Sequence, residues 1–149
     1  MVRMVGAVIG SYVLMFVMVF CVLTGLYTAL GPDGAFQAGT YHLSTTWLIA
    51  ATVLGFLAAL IAGFVSSLIA PGTKAPVALA VVVVALGLLF AIPVLKDARL
   101  DPELRPANVA MMEAMAKAKQ PTAAALGSPF LAAVAVLIGG RLRGSGAGR

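Results

Sequence analysis

Charge is scarce in this chain and missing where it would matter most. Asp, Glu, Lys and Arg make up 10% of its 149 residues, against about a quarter in soluble domains. None lies within the apolar stretches 4–30, 47–70, 77–95 and 122–140. Embedded charges are the usual mark of proton relays and ion-coupled transport, so those mechanisms lose their ordinary carriers. Cysteine is nearly absent too. Cys21 stands alone inside the first stretch, which permits no intramolecular disulfide and leaves the redox compartment unread. A thiol there reads as a small apolar filler. His42 is the one histidine, so a single chain cannot hold a haem iron between two imidazoles. The remaining acids and bases are Asp33, His42, Asp97, Asp101, Glu103 and Glu113, all in connecting segments. They lack the spacing of a catalytic constellation. The expectation is a protein that is not an enzyme, with no catalytic residues, no cofactor and no metal site.

Apolar residues are what remains. They form 62% of the chain, and the mean hydropathy is +1.07. Each of the four stretches is long enough to cross a bilayer core, which takes roughly 17–25 helical residues. The run Val81-Val82-Val83-Val84 would suit a buried strand in a soluble protein. A lone strand in lipid leaves its backbone unsatisfied, so helix is expected. The fold class that follows is all-α: an integral membrane four-helix bundle, up and down, with a short interfacial helix between the third and fourth spans. One transmembrane domain covers 1–140, with an extramembrane loop at 96–121. A basic Gly/Ser-rich tail, 141–149, is expected to be disordered. The first apolar run is about twice the ~7–15 residues of a signal-peptide core and no Ala-x-Ala site follows it, so it reads as a retained helix.

Local signals place the connections. Gly31-Pro32-Asp33-Gly34 predicts a turn that ends the first helix. Ser44 is a candidate N-cap for the second. Tyr41 and Trp47 read as interfacial anchors, with their rings at headgroup level. The short link 71–76 predicts that the second and third helices pack as an antiparallel hairpin. Pro76 suits the first turn of the third helix, which closes near Pro93. Within 96–121 the first half alternates charge and carries Pro102 and Pro106, which predicts an extended loop. The second half pairs Glu113 with Lys117 at i,i+4 and puts Met111, Met115 and Ala118 on one face, with Met112 beside them. That predicts a helix lying at the membrane surface. Pro129 should kink the fourth helix or loosen its first turns.

Orientation follows from Lys and Arg near helix ends. With the N-terminus inside, Arg3, Lys74, Arg141, Arg143 and Arg149 face Lys96, Arg99, Arg105, Lys117 and Lys119, five against five. The segment 31–44 carries Asp33 and no cation, and Arg3 precedes the first span. Both termini are therefore expected in the cytoplasm. The net charge of +5 fits contact with anionic lipid headgroups rather than nucleic acid.

The most specific pattern is a ribbon of small residues on the second span: Ala51, Gly55, Ala59, Gly63 and Ser67. At 1.5 Å per residue it runs about 24 Å along one face. Gly6 and Gly10 form a shorter pair on the first span. Small-xxx-small spacing lets helix backbones approach closely where no hydrophobic drive exists. These seven residues are the candidate helix-packing interface, within the bundle, with a second copy, or with a larger membrane protein. The hydroxyl residues Ser11, Tyr12, Thr24, Thr28, Thr52, Ser66 and Ser67 can bond within their own helices and demand no function. His42 with Met111, Met112 and Met115 could form a soft copper(I) or pH-sensing site outside the membrane; apolar filling by flexible thioethers is the plainer reading.

Several four-helix families are excluded by missing motifs. Small multidrug transporters need a glutamate in the first helix. Quinone-linked disulfide oxidoreductases need cysteine pairs, cytochrome b561-like bundles need paired histidines, and membrane glutathione-transferase-like proteins carry charges within their helices. The layout does resemble small bacterial inner-membrane proteins of no known activity. The shared features are Met1-Val2-Arg3 before a long helix, Tyr41-His42-Leu43-Ser44-Thr45-Thr46-Trp47-Leu48, the small-residue second helix, and Arg105-Pro106 leading through Met112-Glu113-Ala114-Met115 to Gln120-Pro121. The resemblance implies a multi-pass inner-membrane location and transfers no functional residue. The expected role is a non-enzymatic accessory, assembly or oligomerising protein acting through helix packing. The alternatives are a conduit or permease for an uncharged or lipid-like solute, and a periplasmic metal or pH sensor.

Overall fold

The computed structural model describes residues 2–97, 104 and 110–144. Its helices are α1 (Val2–Ala35), α2 (Thr45–Ile69), α3 (Lys74–Asp97), α4 (Met111–Ala116) and α5 (Thr122–Gly144). All but α4 are long and apolar enough to cross a membrane. The side-chain distribution says the same. Buried positions are mostly small: Ala7, Ala58, Ala59, Ala62, Ser66, Ala133 and Ala135. Large side chains such as Phe16, Phe20, Ile49, Leu57, Phe90 and Phe130 point outward. In water so much exposed apolar surface would aggregate; in lipid it meets matching chains while small residues let the helices close. The protein is a multi-pass, all-α membrane bundle.

The helices begin and end for local reasons. α1 breaks at Gly31, whose φ of 67° and ψ of 176° lie in a region open essentially to glycine alone. Helix then resumes, with Pro32 opening the new turn and its carbonyl accepting from the Phe36 amide at 3.0 Å. Pro32 gives up no donor there, so the expected turn is a one-residue break followed by a helical turn. Ser44 caps α2: its hydroxyl oxygen accepts from the Trp47 amide at 3.1 Å and its O–H donates to the Gly34 carbonyl at 2.5 Å. Ser44→Ala removes both bonds, and we expect a loss of about 1 kcal/mol, read from thermal unfolding in detergent. α3 runs past Pro93 to Asp97. α5 contains Pro129 within one continuous element and carries helix through Arg141 to Gly144. The tail expected to be irregular from 141 therefore starts as helix; 145–149 lie outside the described residues.

The packing order corrects the expected hairpin. α5 makes its broadest contacts with α2 and then α3, α1 packs on α2 and less on α3, and α2 meets α3 only slightly. Around the bundle the order is α1, α2, α5, α3. A short link makes α2 and α3 antiparallel, but α5 wedges between them because its backbone approaches both. A Cβ on Gly139 would overlap the Leu60 carbonyl of α2, and one on Gly140 would lie 2.6 Å from the Pro76 ring of α3. At the same end the Arg3 guanidinium donates to the Ile69 carbonyl at 2.8 Å, tying the start of α1 to the end of α2.

The opposite end carries a cap. The Gln37 amide donates to the His42 carbonyl at 2.8 Å, the Leu43 amide to the Lys119 carbonyl at 3.0 Å, and the Lys119 amide to the Tyr41 carbonyl at 2.8 Å. Phe36, Leu43, Trp47, Tyr27 and Ala114 form its core. Two expectations change here. Tyr41 and Trp47 are 3% and 4% exposed, so they are cap core and not headgroup anchors. Tyr27 meets Trp47 edge-on at 6.2 Å, and Phe36 meets Tyr41 likewise at 6.2 Å. α4 spans six residues and turns Met111, Ala114 and Met115 into this core, with Ala118 packing there just beyond the helix, so its apolar face meets protein and not the membrane surface. Of the charge-alternating segment 96–106, expected as an extended loop, Lys96 and Asp97 continue α3 and Leu104 bridges to Thr40; residues 98–103 and 105–109 lie outside the described residues.

Candidate functional site

The small-residue ribbon of α2 divides into two halves. Ala59 and Ser67 are buried, and a Cβ on Gly63 would overlap the backbone of Val136 in α5. The hydrogen that such a Cβ would replace points at a carbonyl, a weak Cα–H···O contact that recurs at close helix crossings. This half is used up inside the chain. Ala51 is half-buried, and a Cβ on Gly55 meets nothing within 4 Å. Space stays open beside this half.

That space is a cavity of about 330 Å³ touched by all four long helices. Ala51, Thr52 and Gly55 line it from α2, Tyr12 and Met15 from α1, Val83, Gly87 and Phe90 from α3, and Ser128 and Pro129 from α5. α5 is held off at this level by its own proline. A Cβ on Gly87 would stand 2.6 Å from two ring carbons of Pro129, so ring and glycine interlock while the Gly55 side stays unfilled. The lining residues lie about three turns or more inside the ends of α1 and about two turns or more inside those of α2, α3 and α5. At 5.4 Å per turn this is hydrocarbon depth. An opening at that depth meets lipid chains.

The cavity is apolar with three hydroxyl residues. No Asp, Glu, Lys, Arg, His or Cys lines it. Thr52 donates its hydroxyl proton to the Leu48 carbonyl at 2.7 Å. Two other hydroxyls, Ser11 Oγ and Tyr27 OH, are buried with no hydrogen-bond partner among the described residues, but neither residue lines the cavity. An uncharged, largely apolar molecule suits these walls. Acid–base chemistry and ion coordination would need groups the lining lacks.

The other sequence candidates fall elsewhere. Gly6 and Gly10 are exposed, and a Cβ on either meets nothing within 4 Å. α1 instead turns the neighbouring pair Ala7 and Ser11 inward, both fully buried. Sequence spacing alone could not separate these two registers, one residue apart. Cys21 is exposed on the outer face of α1. His42 is exposed on the cap, Met111 and Met115 turn into the cap core, and Met112 turns outward at 71% exposure. Lys117 sits 5.5 Å above the Tyr41 ring and 3.9 Å from Glu113. Among the described residues no three of His, Cys, Asp and Glu gather as a metal site. Sequence reasoning could not place the cavity: of its three hydroxyl residues it singled out Tyr12 and Thr52 and missed Ser128. Its only trace there was hydroxyl residues spread over several spans.

No protein-family model, no curated protein and no solved structure matches this chain.

Proposed function

We propose that the protein is a non-enzymatic multi-pass protein of the bacterial inner membrane that takes an uncharged, lipid-like solute into the cavity between its helices, as a small carrier or permease. One observation carries this reading: all four spanning helices contribute to a charge-free cavity at hydrocarbon depth. The ribbon supports it over the accessory-subunit role, because Ala59, Gly63 and Ser67 are occupied by the chain's own packing and that half of the ribbon offers no face to a partner. Both termini lie in the cytoplasm in this reading. The cations named at the two ends are equal in number, Arg3, Lys74 and Arg141 against Lys96, Lys117 and Lys119; the orientation rests on Arg3 preceding the first span and on the cation-free segment 31–44 that follows it.

Flux into proteoliposomes tests it. The full chain should speed the transbilayer movement of a fluorescent neutral single-chain lipid several-fold over protein-free vesicles. Gly55→Leu fills the cavity without meeting an atom at its Cβ, so the folded variant should fall to the protein-free rate. Wild-type vesicles that match protein-free ones would remove the permease role.

A second reading, a homo-oligomer, has one observation in its favour. Gly6 and Gly10 face outward, and Cys21 lies on the same side of α1, eleven residues and about three turns beyond Gly10. If copies pair there, mild oxidation in membranes yields a Cys21-linked dimer, and Gly6→Leu with Gly10→Leu abolishes it.

A further inference from the structure

The cavity walls carry information about the head of the solute as well as its body. We propose that the site selects a neutral single-chain lipid ending in a hydroxyl or carbonyl, and that Tyr12, Thr52 and Ser128 read that group. This rests on the cavity being a solute site, as proposed above.

Three hydroxyl residues from three helices, half-buried Tyr12 of α1 and the exposed Thr52 of α2 and Ser128 of α5, are the polar members of an otherwise apolar lining that opens outward. Their bonding states differ. The Thr52 proton is committed to the Leu48 carbonyl of its own helix, so toward a ligand its oxygen is an acceptor. The Tyr12 and Ser128 hydroxyls have no hydrogen bond within the described residues, so each can donate or accept. A ligand hydroxyl can donate to Thr52 and accept from Tyr12 or Ser128, and a ligand carbonyl can accept from the latter two. A phosphate or carboxylate finds no cation in the lining, and burying such a charge unpaired is strongly unfavourable. The body lies against Phe56 and Val83, with Phe90 and Leu131 at the rim where the cavity opens outward. A volume of about 330 Å³ lies at the low end of small-molecule sites, with room for one chain and not for a two-chain phospholipid. Prenyl and acyl chains share this chemistry.

The test is binding of tritiated farnesol to the full chain in lipid nanodiscs, with unlabelled competitors. Farnesol should bind saturably, and farnesene, the same body without the hydroxyl, should compete roughly ten- to a hundredfold more weakly, the worth of the two hydrogen bonds the hydroxyl makes. Farnesyl phosphate should not compete. Dodecanol distinguishes the sources: stronger competition than farnesol itself assigns an acyl chain, weaker a prenyl chain. Tyr12→Phe, Thr52→Val and Ser128→Ala should each weaken farnesol by up to about tenfold and leave farnesene unchanged, while Gly55→Leu abolishes both. Equal binding of farnesol and farnesene with silent hydroxyl variants would overturn the head-group selection and leave the solute site standing. Competition by farnesyl phosphate as strong as by farnesol would also overturn it. Failure of every probe, with the chain folded, would overturn the solute site itself.

Discussion

Gly139→Leu should leave no folded protein to purify, and Gly63→Leu should do the same. A Cβ at either position overlaps a backbone carbonyl across the α2–α5 crossing, that of Leu60 or of Val136. A side-chain neighbour could rotate away; a carbonyl inside a helix cannot move without the helix. The crossing would have to open along its length, giving up the burial of Ala59, Ala62, Ala135 and Val136, which share one core cluster. Even the alanine variants should cost about 1–3 kcal/mol, the usual range for overpacking. Gly6→Leu and Gly10→Leu, where a Cβ meets nothing within 4 Å, should stay within about 0.5 kcal/mol of wild type, as surface changes do. Size-exclusion profiles and thermal unfolding in detergent report all of these. A Gly139→Leu protein as stable as wild type would contradict the packing order.

Trp47→Ala is the second large effect. Trp47 is the one tryptophan in the chain, and it is nearly enclosed between Tyr27, Leu43 and the α4 segment in the cap core. Removing a buried aromatic of this size costs about 3–5 kcal/mol. A headgroup anchor would cost far less, because lipid and water would refill its place. Fluorescence separates the two cases without mutation. Brominated lipids should quench Trp47 only weakly, since protein surrounds the ring. Strong quenching by bromines near the headgroups would return it to the interface and dissolve the cap.

How much of this was legible in the sequence depends on the range of the interaction. Lengths and apolarity gave four spans, because a helix that satisfies its own backbone is the one spanning element such runs can form. Ser44 could be read as a cap because the bond to the Trp47 amide is three residues long. The small residues of α2 could be read as a packing face, but not which part of it packs. Gly55 and Gly63 look alike in sequence, and only the path of α5 makes one a contact and the other a void. That path depends on Pro129, Gly139 and Gly140 meeting partners far away in the chain, and the short α2–α3 link masked it. The cap stayed hidden for the same reason. Its defining bonds join residues 41 and 43 to Lys119, about half the chain away in sequence. The periodicity of Met111, Met115 and Ala118 marked an apolar face correctly, yet periodicity cannot say whether that face meets lipid or protein.

The most direct test of the central claim is native mass spectrometry of the full chain released from membranes in mild detergent, beside Gly55→Leu handled identically. The account predicts a wild-type species carrying one small neutral adduct per chain, and a folded Gly55→Leu species without it. A wild-type chain that never carries an adduct, or one whose only stoichiometric companion is a second protein, would contradict it.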